Sequence, residues 1–174
     1  LPISSTEGGI MDDDGNLLPQ GETGELVIRG PQVMKGYWQR PEETAKVITE
    51  DGWLRTGDVA MMTPDGFFKI VDRKKDMFIS GGENVSPAEV EAVLREHPEV
   101  AEVGVAGLPD SDLGSRVVAW IVPRVGADPG AGDLRRFCRQ RLAGFKVAKE
   151  VRFTAELPRN SSGKLLRRSL RELD

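Results

Sequence analysis

The segment LPRNSSGKLLRR, residues 157–168, presents one lysine, Lys164, directly after a Ser-Ser-Gly run and ahead of an amphipathic tail. A lone ammonium on a polar, glycine-bearing loop is suited to stabilising the negative charge that builds on a phosphate. A phosphate-cradling P-loop would carry glycine five positions before the Gly-Lys pair and Ser or Thr directly after the lysine. Those positions hold Pro158 and Leu165. No G-x-G-x-x-G occurs either, so neither nucleotide-binding loop is present and Lys164 reads as a cation delivered by a flexible loop.

Two other stretches hold residues that could act on a ligand. In WLRTGD, Asp58 follows a Thr-Gly pair read as a turn, which can present a carboxylate to two neighbouring hydroxyls. In DRKKDMFISGGENVSPAEVE, the charged run Arg73, Lys74, Lys75, Asp76 leads into a tight turn at Gly81, Gly82 and Glu83. Adjacent glycines allow a backbone to approach a ligand closely. With one histidine, His97, and one cysteine, Cys138, the chain has no His/Cys metal set and no Ser-His-Asp triad. His97 closes a predicted helix, and Cys138 falls inside another as a packed thiol.

The elements that must position these residues divide near residue 75. The first half reads as short strands and turns. GELVIRG alternates at period two, DGFFKIVDR follows a Pro64-Asp65-Gly66 turn, and RPEETAKVIT makes one short helix. Its apolar content is thin for an independent core, so it reads as a piece of a barrel or sheet. In the second half, Ser86-Pro87-Ala88-Glu89 is a capping box that opens the helix PAEVEAVLREH, with Val90, Val93 and Leu94 on one face. VAEVGVAG, RVVAWIV and KEVRFTAEL read as strands, and AGDLRRFCRQRL as a second helix. The expected fold class is α+β: a short β-rich N-terminal piece, the end of a larger domain's barrel, followed by a small α+β C-terminal mobile domain.

At 174 residues and 39% apolar composition the chain suits one ordinary domain or two small ones. Its longest apolar run, VVAWIVP, is far short of a membrane span, and the acidic N-terminus lacks a signal peptide's basic start. A single cysteine cannot form an internal disulfide, so the cytoplasm is the expected compartment. The net charge of -4 conceals a polarity: residues 1–58 hold 11 acids and 5 bases, residues 134–174 hold 12 bases and 4 acids. A basic end attracts nucleotides, coenzymes or an acidic neighbour. The aromatics Phe137, Phe145 and Phe153 form no recognised nucleic-acid module. The chain begins with Leu1 rather than Met, which points to a piece of a longer protein or to a processed start.

Taken in order, GELVIRGPQVMKGYWQRPEET, DGWLRTGD, DGFFKIVDRKKDMFISGGENVSPAEVE and LPRNSSGKLLRR resemble the C-terminal portion of an adenylate-forming enzyme. This is the superfamily of acyl-CoA synthetases, firefly luciferase and peptide-synthetase adenylation domains. DRKKDMFISGGEN and FKVAKEVRF look most like fatty-acid and aryl-acid CoA ligases. The resemblance implies three segments: residues 1–72 as the terminal barrel segment of the large domain, 73–75 as a hinge, and 76–174 as the C-terminal domain. It also implies a ligase that joins a carboxylic acid, expected to be a fatty acid, to coenzyme A through an acyl-adenylate, with release of AMP and pyrophosphate.

By the same resemblance, Lys164 is the catalytic lysine, Asp58 holds the ribose hydroxyls of ATP or AMP, and Arg73 pairs with the nucleotide. Lys75 is the hinge about which the small domain swings between the two half-reactions. Gly81, Gly82 and Glu83 line the coenzyme A channel, and Phe145 and Lys149 contact the coenzyme's nucleotide end. Mg2+ would be held mainly by a preceding large domain, which would also be the chain's partner. Two positions depart from the family pattern: Ala148 stands where proline is common and Ser86 where tyrosine is common. The family's Ser/Thr/Gly-rich phosphate loop does not occur in these residues, so the chain alone is expected to be inactive. Two alternatives stand beside this reading. One is a piece of a peptide-synthetase adenylation domain, and the other is a stand-alone module that binds a nucleotide or an acidic partner.

Overall fold

The computed structural model describes residues 4–173. Leu1 and the outermost ends of the expected domains lie outside the described residues. The chain forms two compact units, the first ending at Lys75 and the second beginning at Asp76.

The first unit is one antiparallel sheet with a short helix. Its strands are β1 (Glu7–Met11), β2 (Leu17–Leu18), β3 (Thr23–Arg29), β4 (Leu54–Met62) and β5 (Phe68–Arg73), in the order β2-β1-β3-β4-β5. Helix α1 (Pro41–Val47) starts on a proline, whose fixed φ suits a first helical position. Tight turns set the registers. At the end of β4, Thr63 and Phe67 exchange a backbone bond across Pro64-Asp65-Gly66, and Gly66 takes a φ of +80°. The acidic run after β1 is a loop closed on itself, because Asp12 accepts hydrogen bonds from the backbone and side chain of Asn16. The buried apolar cluster is small: Met11, Val27 and Trp53, with the Arg29 guanidinium 4.5 Å over the Trp53 ring.

Asp58 sits in a strand rather than after a turn. Thr56, Gly57 and Asp58 lie inside β4, where the pairing with β3 shifts between Glu25 and Val27. The Thr-Gly pair is a bulge. Thr56 Oγ1 donates to the Leu26 carbonyl at 2.8 Å, Gly57 takes a φ of +74°, and its N–H donates to the Glu25 carboxylate at 3.1 Å. A bulge re-aims a side chain without ending the ladder, which is why the local signal resembles a turn.

The second unit is an α+β layer. A hairpin of β6 (Phe78–Ser80) and β7 (Glu83–Val85) leads into α2 (Pro87–Arg95). Then come the long strands β8 (Val100–Asp110) and β9 (Gly114–Pro123), helix α3 (Ala131–Arg139), a 3₁₀ turn at Gly144–Lys146, strand β10 (Glu150–Phe153) and helix α4 (Arg167–Leu170). β9 pairs antiparallel with β8 and parallel with β10. Ser86 caps α2 by accepting the Glu89 N–H at 3.2 Å.

Period-two alternation gives this sheet two buried faces. Val103, Val105, Val117, Ala119 and Ile121 pack with Val90 and Leu94 of α2 and with Leu134 and Cys138 of α3. The intervening residues Ala106, Val118 and Trp120 pack with Leu157 and Leu170. Burial pushes the Cys138 thiol up to about 11, the state of a packed core group rather than a nucleophile. His97 lies just beyond α2, half-buried, with its ring edge-on to Phe137 at 5.0 Å.

Candidate functional site

The loop that carries Lys164 is a closed hairpin, tighter than the flexible loop its composition suggests. Arg159 and Leu165 form a β-bridge, and Asn160 and Lys164 are joined by a backbone bond from the Asn160 N–H to the Lys164 carbonyl at 2.9 Å. The Asn160 side-chain oxygen accepts from the Lys164 N–H at 2.8 Å, the Ser162 N–H at 3.1 Å and the Ser162 hydroxyl at 2.8 Å. Asparagine favours such turns because its short amide can cap a neighbouring backbone. Gly163 supplies the required left-handed conformation, at φ +80°. The backbone is fixed while the Lys164 side chain is exposed, and its ammonium has no partner among the described residues.

The sheet sets where this hairpin lies. Gly104 on β8 has no side chain, so Leu165 and Leu170 settle directly against it. A Cβ there would stand 2.9 Å from Leu170 Cδ1 and 3.3 Å from Leu165 Cδ2. Arg159 reinforces the placement, donating to the Gly163 carbonyl at 2.7 Å and pairing with Glu102 on β8.

Asp58 and Arg73 face each other across β4 and β5 and form an ion pair, with Arg73 Nε 2.7 Å from Asp58 Oδ1. The second Asp58 oxygen makes no hydrogen bond among the described residues, and both side chains reach solvent. One charge pair can therefore offer a nucleotide both an acceptor and a donor. Arg73 closes β5, and Lys74 and Lys75 follow it at the end of the first unit.

Gly81 and Gly82 are the two central residues of the β6–β7 hairpin, with φ +61° and +86°. A two-residue hairpin with φ > 0 at both positions calls for glycine or asparagine. The turn is exposed, its Gly81 N–H donates to the Leu113 carbonyl at 3.0 Å, and Glu83 opens β7 beside it. The 3₁₀ turn with Phe145 lies next to β7. Phe145 is partly packed on the first core face, and Lys146 Nζ stands 5.6 Å from its ring centroid. Lys146 also holds both oxygens of Glu89 at 2.7 and 2.8 Å, tying this turn to the start of α2. Lys149 is exposed, with its backbone bonded to Val117 and Arg135. The Phe145 turn therefore lies beside β7, which Glu83 opens, whereas Lys149 is held by Val117 of β9 and Arg135 of α3.

Lys75 is exposed, and its side chain has no partner among the described residues. No group of three or more His, Cys, Asp or Glu able to hold a metal occurs among the described residues. No helix among them is long and apolar enough to cross a membrane.

Four charged residues outside the sequence reading, Glu25, Arg55, Glu91 and Arg167, take part in buried pairs. Glu25, 7% exposed, accepts from Arg55 at 3.0 Å and Lys74 at 3.1 Å as well as from Gly57. Glu91, 5% exposed, takes Arg167 in a two-point pair at 3.1 and 2.8 Å and the Val105 N–H at 3.0 Å. Arg167 also donates to Asp76 at 3.1 Å. The available signal for Glu91 was its place on α2, four residues after Pro87 and three before Leu94, on the helix's buried side.

Two family models match the chain: the AMP-binding enzyme C-terminal domain over residues 89–164 and the AMP-binding enzyme domain over residues 1–38. The long-chain-fatty-acid–CoA ligase of Salmonella typhimurium is 50% identical over 99% of this chain and 30% of its own length. The 2-succinylbenzoate–CoA ligase of Geobacillus kaustophilus is 51% identical over 99% of this chain and 35% of its own. Among solved structures, ATP-bound MatB from Rhodopseudomonas palustris superposes with a TM-score of 0.92 at 36% identity, covering 98% of this chain and 34% of that one. The chain therefore spans about a third of the length of the relatives it matches.

Proposed function

The chain belongs to the AMP-binding, adenylate-forming enzymes, and from that premise we propose that it supplies the lysine-bearing end of an ATP-dependent acid–CoA ligase. The observation that carries this reading is Lys164: an unpaired ammonium on a hairpin whose backbone is fixed by Asn160.

In the first half-reaction a carboxylate oxygen attacks the α-phosphorus of ATP and the bond to pyrophosphate breaks, leaving an acyl-adenylate. Negative charge gathers on the α-phosphate oxygens, and the Lys164 ammonium stabilises it there. Asp58 accepts hydrogen bonds from the ribose hydroxyls through its free oxygen while Arg73 holds the other. In the second half-reaction the sulfur of coenzyme A attacks the acyl carbon, the carbon–oxygen bond to AMP breaks, and the thiol proton passes to solvent.

Lys75 is the pivot by which the second unit changes place between these steps. The Gly81-Gly82 hairpin with Glu83 lines the path of the coenzyme's thiol arm, and Phe145 and Lys149 meet its nucleotide end. Mg2+ would be held mainly by the preceding large domain, where it would neutralise the phosphates of ATP. The acid is proposed to be a fatty acid, as the name of the Salmonella relative suggests. Succinylbenzoate, named for the similarly related Geobacillus ligase, is the competing acid. The cytoplasm is the proposed compartment.

The test is product analysis in the full-length protein that carries this chain, with ATP, coenzyme A and fatty acids of graded length. The expected result is AMP released in step with acyl-CoA. Release of ADP, or of AMP with no thioester from any acid, overturns the ligase assignment. The 174-residue chain alone is expected to form no acyl-adenylate.

A further inference from the structure

We infer that ion-pair clamps on the residues flanking Lys75 confine the pivot to that single residue, and that Arg167 is the positioning residue which joins the pivot to the Lys164 hairpin. The inference rests on the assignment of Lys75 as the pivot.

Lys74 belongs to the first unit by three bonds. Its N–H donates to the Gly57 carbonyl at 2.9 Å, and its ammonium reaches Asp13 at 2.7 Å and the buried Glu25 at 3.1 Å. On the other side, the Asp76 carboxylate takes Arg167 Nη1 at 3.1 Å. Arg167 is itself fixed, because its Nε and Nη2 fork onto the two oxygens of Glu91. Surface ion pairs contribute little, but a two-point guanidinium–carboxylate pair with a buried carboxylate is both directional and strong. Between the clamps, Lys75 is exposed and its side chain unheld. Any large backbone change is then absorbed by the dihedrals of one residue, which is enough for a hinge.

Arg167 lies three residues after Lys164 and opens α4, whose Leu170 is buried on the sheet. The guanidinium that holds Asp76 therefore also holds the helix behind the lysine hairpin. Rotation at Lys75 carries Lys164 as part of a rigid body instead of being dissipated in the segment between them. This also accounts for a carboxylate as buried as Glu91 in an otherwise apolar helix face.

The test is a backbone 15N relaxation-dispersion profile of residues 73–78 in the full-length protein, with Lys74→Met, Asp76→Asn and Arg167→Met variants. In the wild type the microsecond-to-millisecond exchange contribution peaks at Lys75, with residues 74 and 76 near baseline. Asp76→Asn and Arg167→Met spread the exchange to residues 76–78 and leave 74 at baseline, and Lys74→Met does the reverse. Asp76→Asn keeps the Glu91–Arg167 pair, so it remains informative if Arg167→Met unfolds. Exchange spread evenly over residues 73–78 in the wild type, or variants without this sidedness, overturns the clamps while leaving a hinge. A wild type without exchange at residue 75 overturns the pivot assignment itself.

Discussion

The side-chain oxygen of Asn160 lies 2.8 Å from the backbone nitrogen of Lys164, four residues along the chain, and closes the hairpin on which the lysine stands. Replacing it tests whether a fixed backbone matters to the chemistry. Asn160→Ala removes three acceptor contacts and is expected to lower kcat for adenylation about ten-fold, with KM for ATP little changed. Asn160→Asp keeps an acceptor and retains most of the activity. Equal kcat for both variants and the wild type would contradict a positioning role.

Asp58 and Arg73 form a charged pair whose second carboxylate oxygen is open. Losing a hydrogen bond to a charged group costs about 1.5–3 kcal/mol, so Asp58→Ala is expected to weaken ATP and AMP binding by roughly ten-fold or more. Arg73→Ala, which leaves Asp58 without its partner, is expected to act in the same direction. Calorimetric titration of the full-length protein with AMP checks both, and unchanged affinity for Asp58→Ala would remove it from the nucleotide site.

How much of this was legible beforehand follows from the range of the interactions. Strands β8 and β9 and helix α2 showed in short apolar runs and a Ser-Pro cap, both local signals, while β6 and β7 showed only through the Gly81-Gly82 turn between them. KEVRFTAEL became a strand only over Glu150–Phe153, because its pairing depends on the distant β9. The bulge at Thr56–Gly57 passed for a turn because only the opposing β3 distinguishes the two. Lys164 could be singled out from its neighbours, but the Asn160 cap gives its loop a rigidity that composition did not convey. Glu25, Glu91 and Arg167 were unreadable as pairs, since their partners lie 30, 14 and 76 residues away in sequence.

Gly107 on β8 leaves room for the Phe78 ring, where an added Cβ would come within 2.6 Å of two ring carbons. An aromatic ring cannot bend away, so Gly107→Ala is expected to destabilise the second unit by about 1–3 kcal/mol. Gly132 on α3 meets nothing within 4 Å, and Gly132→Ala is expected to be neutral or slightly stabilising. Thermal unfolding of both variants provides the comparison, and a Tm for Gly107→Ala at or above that of the wild type would refute the packing argument.

Burial alone pushes the Glu25 carboxyl up, but hydrogen bonds from Lys74 and Arg55 outweigh it and hold it below its ordinary value of 4.5. A carboxylate with a lowered folded value stabilises the fold fully above its unfolded value, and the contribution disappears as pH falls through the folded one. The amide signals of β3 and β4 are therefore expected to show an acid transition below about pH 4.5 that Glu25→Gln removes. An identical acid profile in that variant would mean that the Glu25 pairs add nothing to stability.

The most direct test of the central claim separates the two half-reactions in the full-length protein carrying Lys164→Ala. Pyrophosphate exchange reports formation of the acyl-adenylate, and thioester formation from supplied acyl-adenylate and coenzyme A reports the second step. The account predicts a fall of roughly 10²–10³ in exchange with the second step nearly intact. Exchange at the wild-type rate, or equal losses in both steps, would contradict the assignment of Lys164 as the cation of adenylation.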